Sequence, residues 1–158
     1  MPWSITIGAS SRTCHIAAPA TGMPTTFTVT NLLTVLASLP AGIHALLDEA
    51  PVILDDRPTR KLLRELGMDP EEDDLCGLHT GVPLTERGVN DTGMLPDVIH
   101  LFREGIVDHA GGWKEGVDEE GPYGGEDRIR EEIRITLLHE IGHHFGLDED
   151  DLARLGYE

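Results

Sequence analysis

A predicted helix near the C-terminal end carries two histidines four residues apart, and this spacing constrains the chain more than any other feature. Residues 126–145 have the apolar periodicity of a helix, and Gly146 is a natural stop because glycine tolerates the left-handed conformation after a last turn. On such a helix, His139 and His143 lie one turn apart on the same face. Their imidazoles are therefore expected to converge on one point.

Two converging imidazole nitrogens suit zinc, which binds histidine at about 2.0–2.1 Å. Glu140 lies about 100° around the helix from His139, where its carboxylate can reach a water at the metal without being a ligand. This is the place of the general base in His-Glu-x-x-His zinc hydrolases. We therefore predict Zn²⁺ as cofactor, His139 and His143 as ligands, and Glu140 as the catalytic base that deprotonates water.

A catalytic zinc usually has three protein ligands and one open position, so a third ligand has to come from elsewhere. The chain can reverse at Gly146, and Glu149 follows ten residues after His139. We favour Glu149 as the third metal ligand on spacing. Three neighbouring acids lie close enough to compete for this role: Asp148, Asp150 and Asp151.

The residues that border the two histidines indicate a largely buried helix rather than a solvated surface helix. Leu138, Ile141 and Phe145 are expected to form one buried stripe. Polar groups beside such a stripe would be costly without a metal or hydrogen-bond partners. His144 lies about 100° from His143, so we read it as structural, or as a partner for a metal-bound histidine, rather than as a ligand.

The charge of the chain argues against two classes of partner. Twenty-nine acidic residues face twelve basic ones in 158 residues, a formal net charge of −17. Such a surface repels a phosphate backbone and anionic membranes, so we expect neither nucleic acid nor membrane as partner. The partner that we expect is a peptide or protein substrate, because a zinc-activated water and a general base suit the attack on a carbonyl with an amine as leaving group.

The two cysteines indicate the compartment. Cys14 and Cys76 are far apart and show no repeated thiol spacing, so we expect free thiols in a reducing, cytoplasmic setting, with a single disulfide as the alternative. No apolar run is long enough to span a bilayer, and the first 25 residues lack the pattern of a secretory signal.

The length fits one domain with one core. The composition of residues 1–26 predicts a poorly ordered N-terminal arm with a short strand at residues 4–7. Residues 27–158 are expected to form the folded domain. In that domain we expect a helix capped by Asn31 and interrupted at Pro40. Further along, the patterns predict strands at 52–54, 75–79 and 98–102, helices at 59–66 and 104–110, and an exposed loop at 111–125.

The strand around residues 97–103 is the predicted resting place for an extended peptide, which can add to an exposed strand edge. His100 on this strand is a candidate for stabilising an oxyanion, although a solvent-facing position is the alternative. Arg103, Tyr123 and Tyr157 are outer candidates for the same site.

Three blocks of the sequence, at 81–88, 95–103 and 139–152, together resemble small bacterial zincin-like zinc metallopeptidases. The resemblance runs from about Phe27 to the C-terminus. It implies an α+β minimal zincin-like fold, in which a small mixed β-sheet packs against the active-site helix and an N-terminal helix. It also implies a metallopeptidase activity. The family usually has Asp at the third-ligand position, where this chain has Glu149.

Two other functions are compatible with the same spacing. One is a non-catalytic, regulatory or binding protein with the zincin fold, in which zinc is a structural clamp. The other is a metal-dependent ribonuclease, because bacterial rRNA-maturation enzymes space their metal ligands similarly. Those enzymes have glycine where this chain has Glu140, and the net charge of −17 argues against RNA.

Overall fold

The computed structural model describes residues 4–7, 25–83, 85 and 97–156, and six helices and six strands form an α+β fold in this part of the chain. Their order is β1 (Ser4–Ile7), α1 (Thr25–Ser38), α2 (Ala41–Glu49), β2 (Val52–Asp55), α3 (Arg60–Glu65), β3 (Gly77–Thr80), β4 (Val98–Phe102), α4 (Arg103–His109), β5 (Gly116–Asp118), β6 (Gly121–Tyr123), α5 (Gly125–His144) and α6 (Glu149–Leu155).

Four of the strands form a mixed sheet in the order β1-β2-β4-β3. β1 runs antiparallel to β2, β2 runs parallel to β4, and β4 runs antiparallel to β3. The register places Val52 opposite Ile99 and Gly77 opposite Leu101. Among the strands of the described residues, β4 is therefore an inner strand and β3 an edge strand.

The core lies between this sheet and the helices α1 and α5. Along α5, Ile129, Ile133 and Leu137 follow one another at intervals of four, and all three are fully buried. They belong to one hydrophobic cluster with residues of α1, β2, β4 and α4. The prediction of a small mixed sheet packed against the motif helix and an N-terminal helix is thus confirmed.

The first long helix corrects one prediction and confirms another. α1 begins at Thr25, so Asn31 lies inside the helix instead of capping it. Asn31 is fully buried, and its Oδ1 accepts a hydrogen bond of 3.1 Å from Arg130 of α5. An internal asparagine with a long-range partner cannot be told from a cap by local pattern alone. The interruption at Pro40 is confirmed, because α1 ends at Ser38 and α2 begins at Ala41.

The glycine-rich segment 111–125 was predicted as a loop, but it contains a hairpin of the short strands β5 and β6. Gly121, with a φ of +122°, begins the second strand directly after the turn.

The predicted buried stripe of Leu138, Ile141 and Phe145 is partly wrong, since Phe145 is 39% exposed. Phe145 is the C-cap residue of α5, where the helical periodicity no longer determines which residues are buried.

The predicted strand at residues 4–7 is confirmed as β1. Most of the predicted arm, residues 8–24, lies outside the described residues, and the domain boundary at 26 and 27 stays a prediction. Within the described ranges, none of the helices combines the length and apolar composition that crossing a bilayer requires.

Candidate metal centre

The two histidines of the motif converge at the C-terminal end of α5. The Nε2 atoms of His139 and His143 are 3.0 Å apart, and the two rings stand edge to face with their centroids 4.7 Å apart. Both side chains are only partly exposed. This is the arrangement that the four-residue spacing on one helical face predicts.

A sharp reversal of the chain after α5 returns a carboxylate to these histidines. Gly146 has a φ of +80°, its N–H donates to the carbonyl of His143, and the N–H of Leu147 donates to the carbonyl of Gly142. These two hydrogen bonds make a Schellman motif, which requires the left-handed residue that glycine provides. The following helix α6 then begins at Glu149, beside the two histidines.

Glu149 approaches both histidines with its two carboxylate oxygens. Oε1 lies 3.1 Å from Nε2 of His143, and Oε2 lies 3.5 Å from Nε2 of His139. The ligand atoms of these three residues lie within 4.8 Å of one another. Two imidazole nitrogens and one carboxylate oxygen are a donor set that catalytic zinc accepts, so the residues fit the metal.

Two of the three competing acids are engaged in other ways. Asp148 is the N-cap of α6, and its carboxylate accepts a hydrogen bond of 2.9 Å from the N–H of Asp151. Asp151 in turn accepts a hydrogen bond from Arg154. Asp150 is exposed and belongs to none of the candidate metal groups in the described part of the chain. Of the four acids, the structure places Glu149 at the histidines.

The ring orientation of His143 is fixed by its second nitrogen. Nδ1 lies 3.1 Å from the carbonyl oxygen of Leu147. Because a carbonyl can only accept a hydrogen bond, Nδ1 has to carry the proton. The neutral ring then presents the lone pair of Nε2, which is the tautomer that a metal ligand needs. The Schellman turn therefore also orients a ligand.

Glu140 is a buried carboxylate, only 7% exposed, and it is held against β3. Its Oε2 accepts a hydrogen bond of 2.7 Å from the backbone N–H of His79. Burial raises the pKa of Glu140 above its ordinary value, while His139, His143 and the N–H of His79 act against the rise. A carboxylate with a raised pKa is a stronger base than an exposed one, so it is better suited to accept and return a proton.

A cavity of about 260 Å³ opens beside Glu140 and His139. Its lining includes Cys76, Glu132 and Thr136, which sequence reasoning did not assign to the site. Burial raises the pKa of the Cys76 thiol to about 12, so the thiol stays protonated at neutral pH. Burial likewise raises the pKa of Glu132, which lines the same cavity. Nothing in the sequence around Cys76 indicates that this residue lines a cavity beside Glu140 and His139.

The predicted substrate strand needs a correction. The strand at 98–102 is β4, and both of its edges are occupied by β2 and β3, so no peptide can add to it. His100 lies 3.2 Å from Asp55, and Arg103 is buried with its Nε 2.6 Å from Asp56. Both side chains therefore contact structural partners, instead of taking part in the substrate site for which we considered them.

Of the two tyrosines considered, Tyr123 lies in β6 of the hairpin and Tyr157 lies outside the described residues. His144 is fully buried, and its Nδ1 lies 3.1 Å from Oδ2 of Asp97. It is therefore not the partner of His143, whose Nδ1 faces Leu147.

A mixed sheet with an antiparallel edge strand, packed against a helix that brings two histidines to a following carboxylate, is an architecture of the zincin type. The chain belongs to the zincin-like metallopeptidase family, whose model matches residues 47–157. Comparison with curated proteins finds no match. Family membership points to a peptidase and implies a divalent metal, usually zinc.

Proposed function

We propose that the protein is a zinc-dependent metallopeptidase that cleaves peptide bonds with a water molecule. His139, His143 and Glu149 hold the zinc, and Glu140 is the general base. One observation carries the proposal: three ligand atoms converge within 4.8 Å beside a buried carboxylate whose pKa is raised. A structural metal site would not need a neighbouring basic group of this kind.

Each residue of the site has a separate role in the proposed reaction. When bound, zinc supplies a Lewis acid that polarises the scissile carbonyl and makes water more acidic. Glu140 takes a proton from the attacking water and returns it to the leaving amine. The N–H of His79 fixes one oxygen of that carboxylate, which leaves the other to exchange the proton. Leu147 keeps His143 in the tautomer that binds metal.

The edge strand β3 supports an extended peptide as substrate. In the described part of the sheet, β3 pairs with β4 on one side and with no strand on the other. The N–H of His79 points to Glu140 instead of to β4, so the open edge of β3 faces the catalytic carboxylate. Backbone hydrogen bonds along this edge can align a peptide beside the base. This assigns to β3 the role that the sequence suggested for β4.

The experiment compares peptide cleavage by the zinc-loaded protein and by two charge-matched variants. Glu140→Gln removes the base but keeps an acceptor for His79, whereas Glu131→Gln removes the same charge from an exposed position of α5. Using a peptide library with mass-spectrometric detection, we expect the wild type and Glu131→Gln to cleave. Glu140→Gln should lose about 10²–10⁴-fold in rate while it retains zinc. Cleavage unchanged in Glu140→Gln contradicts the mechanism.

The same assay separates the alternatives. Stoichiometric zinc without cleavage of any peptide favours a non-catalytic protein with zinc as a clamp. Cleavage of a structured RNA that is abolished by His143→Ala favours a ribonuclease, although the charge of −17 argues against it. The absence of nucleic-acid partners and the cytoplasmic location, expected from charge and cysteine spacing, remain predictions.

A further inference from the structure

The cavity of about 260 Å³ beside the candidate metal centre extends beyond the residues that the proposed reaction uses. Its lining includes His139, a proposed zinc ligand, and Glu140, the proposed base. It also includes Glu132, which lies about two turns earlier on α5, about 10 Å along the helix axis from His139. The cavity therefore borders both the proposed place of cleavage and a carboxylate some distance from it.

The lining of this cavity combines apolar residues with carboxylates. Leu75 and Ile135 are apolar, whereas Asp74 and Glu132 are acidic. Lysine and arginine side chains have the matching division, because an apolar stem carries a cationic head. The volume lies below the roughly 300–1,000 Å³ of pockets that hold whole drug-sized ligands, so it suits a single side chain.

The electrostatic field in the cavity favours a cation. Burial contributes most to the raised pKa of the Cys76 thiol, and four carboxylates add to the rise: Glu132, Asp74, Asp108 and Glu140. Each of these carboxylates disfavours a further negative charge at the thiol. A place where several carboxylates disfavour an anion attracts a positively charged group for the same reason.

Glu132 is the carboxylate best placed to hold such a cation. Its side chain is 21% exposed, and its Oε1 lies 3.9 Å from Nδ1 of His109, which is longer than a hydrogen bond. Arg128 stands one turn before Glu132, but its guanidinium donates a hydrogen bond to the carbonyl of Pro122. Glu132 can therefore form a closer ion pair with an incoming cation than the one it has with His109.

We propose that this cavity binds a lysine or arginine side chain of the peptide substrate, and that Glu132 determines this specificity. The inference rests on the proposed peptidase function, because it places the cationic residue beside the bond that is cleaved. The stem of the side chain packs against Leu75 and Ile135, and its head reaches Glu132. Acidic side chains are repelled by the same carboxylates, which adds to the selectivity.

A metal ion is the other cation that this cavity has to be compared with. Cys76, His109 and Glu132 each offer one ligand atom, and these atoms lie within 4.8 Å of one another. A thiol has to lose its proton to bind a metal, and the pKa of about 12 for Cys76 opposes that loss. We therefore favour the organic cation, and occupation by a metal is an outcome of the test.

The test measures kcat/KM of the zinc-loaded protein for alanine-based peptides that carry a single lysine, norleucine or glutamate, placed on either side of the scissile bond. Norleucine keeps the four carbons of the lysine stem but lacks the ammonium, so the ratio of lysine to norleucine isolates the charge. We expect the wild type to favour lysine at least about 10-fold on one side of the bond and to cleave the glutamate peptide most slowly. Glu132→Gln should bring the ratio close to one. The matched control Glu119→Gln, at an exposed position of the hairpin, should keep the wild-type ratio.

The wild-type ratio tests the proposal even where a variant fails to fold. A ratio near one on both sides of the bond overturns the proposal, and so does a ratio that Glu132→Gln leaves unchanged. A second zinc ion per chain in native mass spectrometry, lost in Cys76→Ser, overturns it as well, because a metal then occupies the cavity.

Calorimetric binding of the same peptides separates this proposal from the proposed peptidase. Binding that favours lysine over norleucine and loses this preference in Glu132→Gln, without any cleavage, supports the cavity and contradicts the peptidase. Cleavage without a preference for lysine contradicts the cavity alone. Neither binding nor cleavage of the lysine peptide contradicts both.

Discussion

The backbone N–H of His79 donates a hydrogen bond of 2.7 Å to Oε2 of Glu140, across 61 residues of sequence. This bond stabilises the ionised carboxylate and so lowers its pKa, while burial raises it, and the net direction is upward. An edge strand thus determines both the position and the proton affinity of the proposed base. Changes in β3 should therefore affect the chemistry even though β3 carries none of the proposed ligands of the catalytic zinc, which are His139, His143 and Glu149.

Gly77→Ala tests how closely β3 packs against Glu140. An added Cβ would lie 2.7 Å from Cγ2 of Thr136 and 2.8 Å from Oε1 of Glu140, so the carboxylate has to move. A misplacement of about 1 Å can cost 10²-fold in rate, and we expect kcat/KM to fall by at least about 10-fold. Overpacking should also lower the free energy of unfolding by about 1–3 kcal/mol. Peptide cleavage and urea denaturation measure the two effects, with zinc content unchanged.

Gly42→Ala is the matched control for this substitution. Gly42 lies in α2, and an added Cβ there has no atom within 4 Å. Alanine is the better helix former, so the control should be as stable as the wild type or more stable by up to about 1 kcal/mol. If Gly77→Ala behaved like Gly42→Ala in both assays, the close packing of β3 against the carboxylate would have no functional role.

Glu149→Gln tests the third ligand of the proposed zinc site. Glu149 brings a carboxylate oxygen to each imidazole, whereas its neighbour Asp150 is exposed and joins no candidate metal group in the described residues. Losing a residue that only orients a ligand typically costs 10–100-fold in metal affinity, so losing the ligand itself should cost at least ~100-fold. Competition with a chromophoric chelator measures the change. Asp150→Asn removes the same charge and should bind zinc like the wild type; equal losses in both variants would indicate a general charge effect.

Those parts of the site that depend on local geometry are the parts that the sequence predicted. His139 and His143 meet because residues four apart share a helical face, and Glu149 was favoured because a glycine allows the chain to reverse before it. The structure brings these three side chains together. Several of the predicted strands and helices were also found where expected, among them β2, β4 and α4.

Features that depend on strand order could not be predicted in the same way. β4 was expected to have an open edge, but it pairs on both sides, because strand order is set by the whole sheet and leaves no local pattern. Asp97 was seen only as the residue that opens a strand, although it meets His144 from 47 positions earlier in the sequence. His79 escaped notice because its contact with Glu140 uses the backbone, which any residue could supply.

Cys76 should react slowly with thiol reagents in the folded, metal-free protein. Burial raises its pKa from 9.0 to about 12, and neighbouring carboxylates, Glu132 first among them, act in the same direction. At pH 9 a thiol with a pKa of 9.0 is half ionised, whereas one with a pKa near 12 is ionised to roughly 0.1%, so the reaction should be about 500-fold slower. The measurement is the rate of reaction with a disulfide reagent in a Cys14→Ser background. The same protein in urea is the control and should react at an ordinary rate; a fast reaction in the folded state contradicts the burial of this thiol.

Glu132 should make the stability of the metal-free protein depend on pH. Burial raises the pKa of Glu132 above its ordinary value, an effect that His109 partly opposes. Since the folded state holds this proton more tightly than the unfolded state, the stabilisation is fully present below the unfolded pKa and is lost as the pH rises through the folded pKa. Glu132→Gln carries no charge at any pH, so it should unfold at the same urea concentration as the wild type near pH 4 and at a higher one near pH 7. Glu119→Gln, at an exposed position of the hairpin, should show no such divergence. A Glu132→Gln variant that loses stability relative to the wild type as the pH rises would contradict the desolvation of this carboxylate.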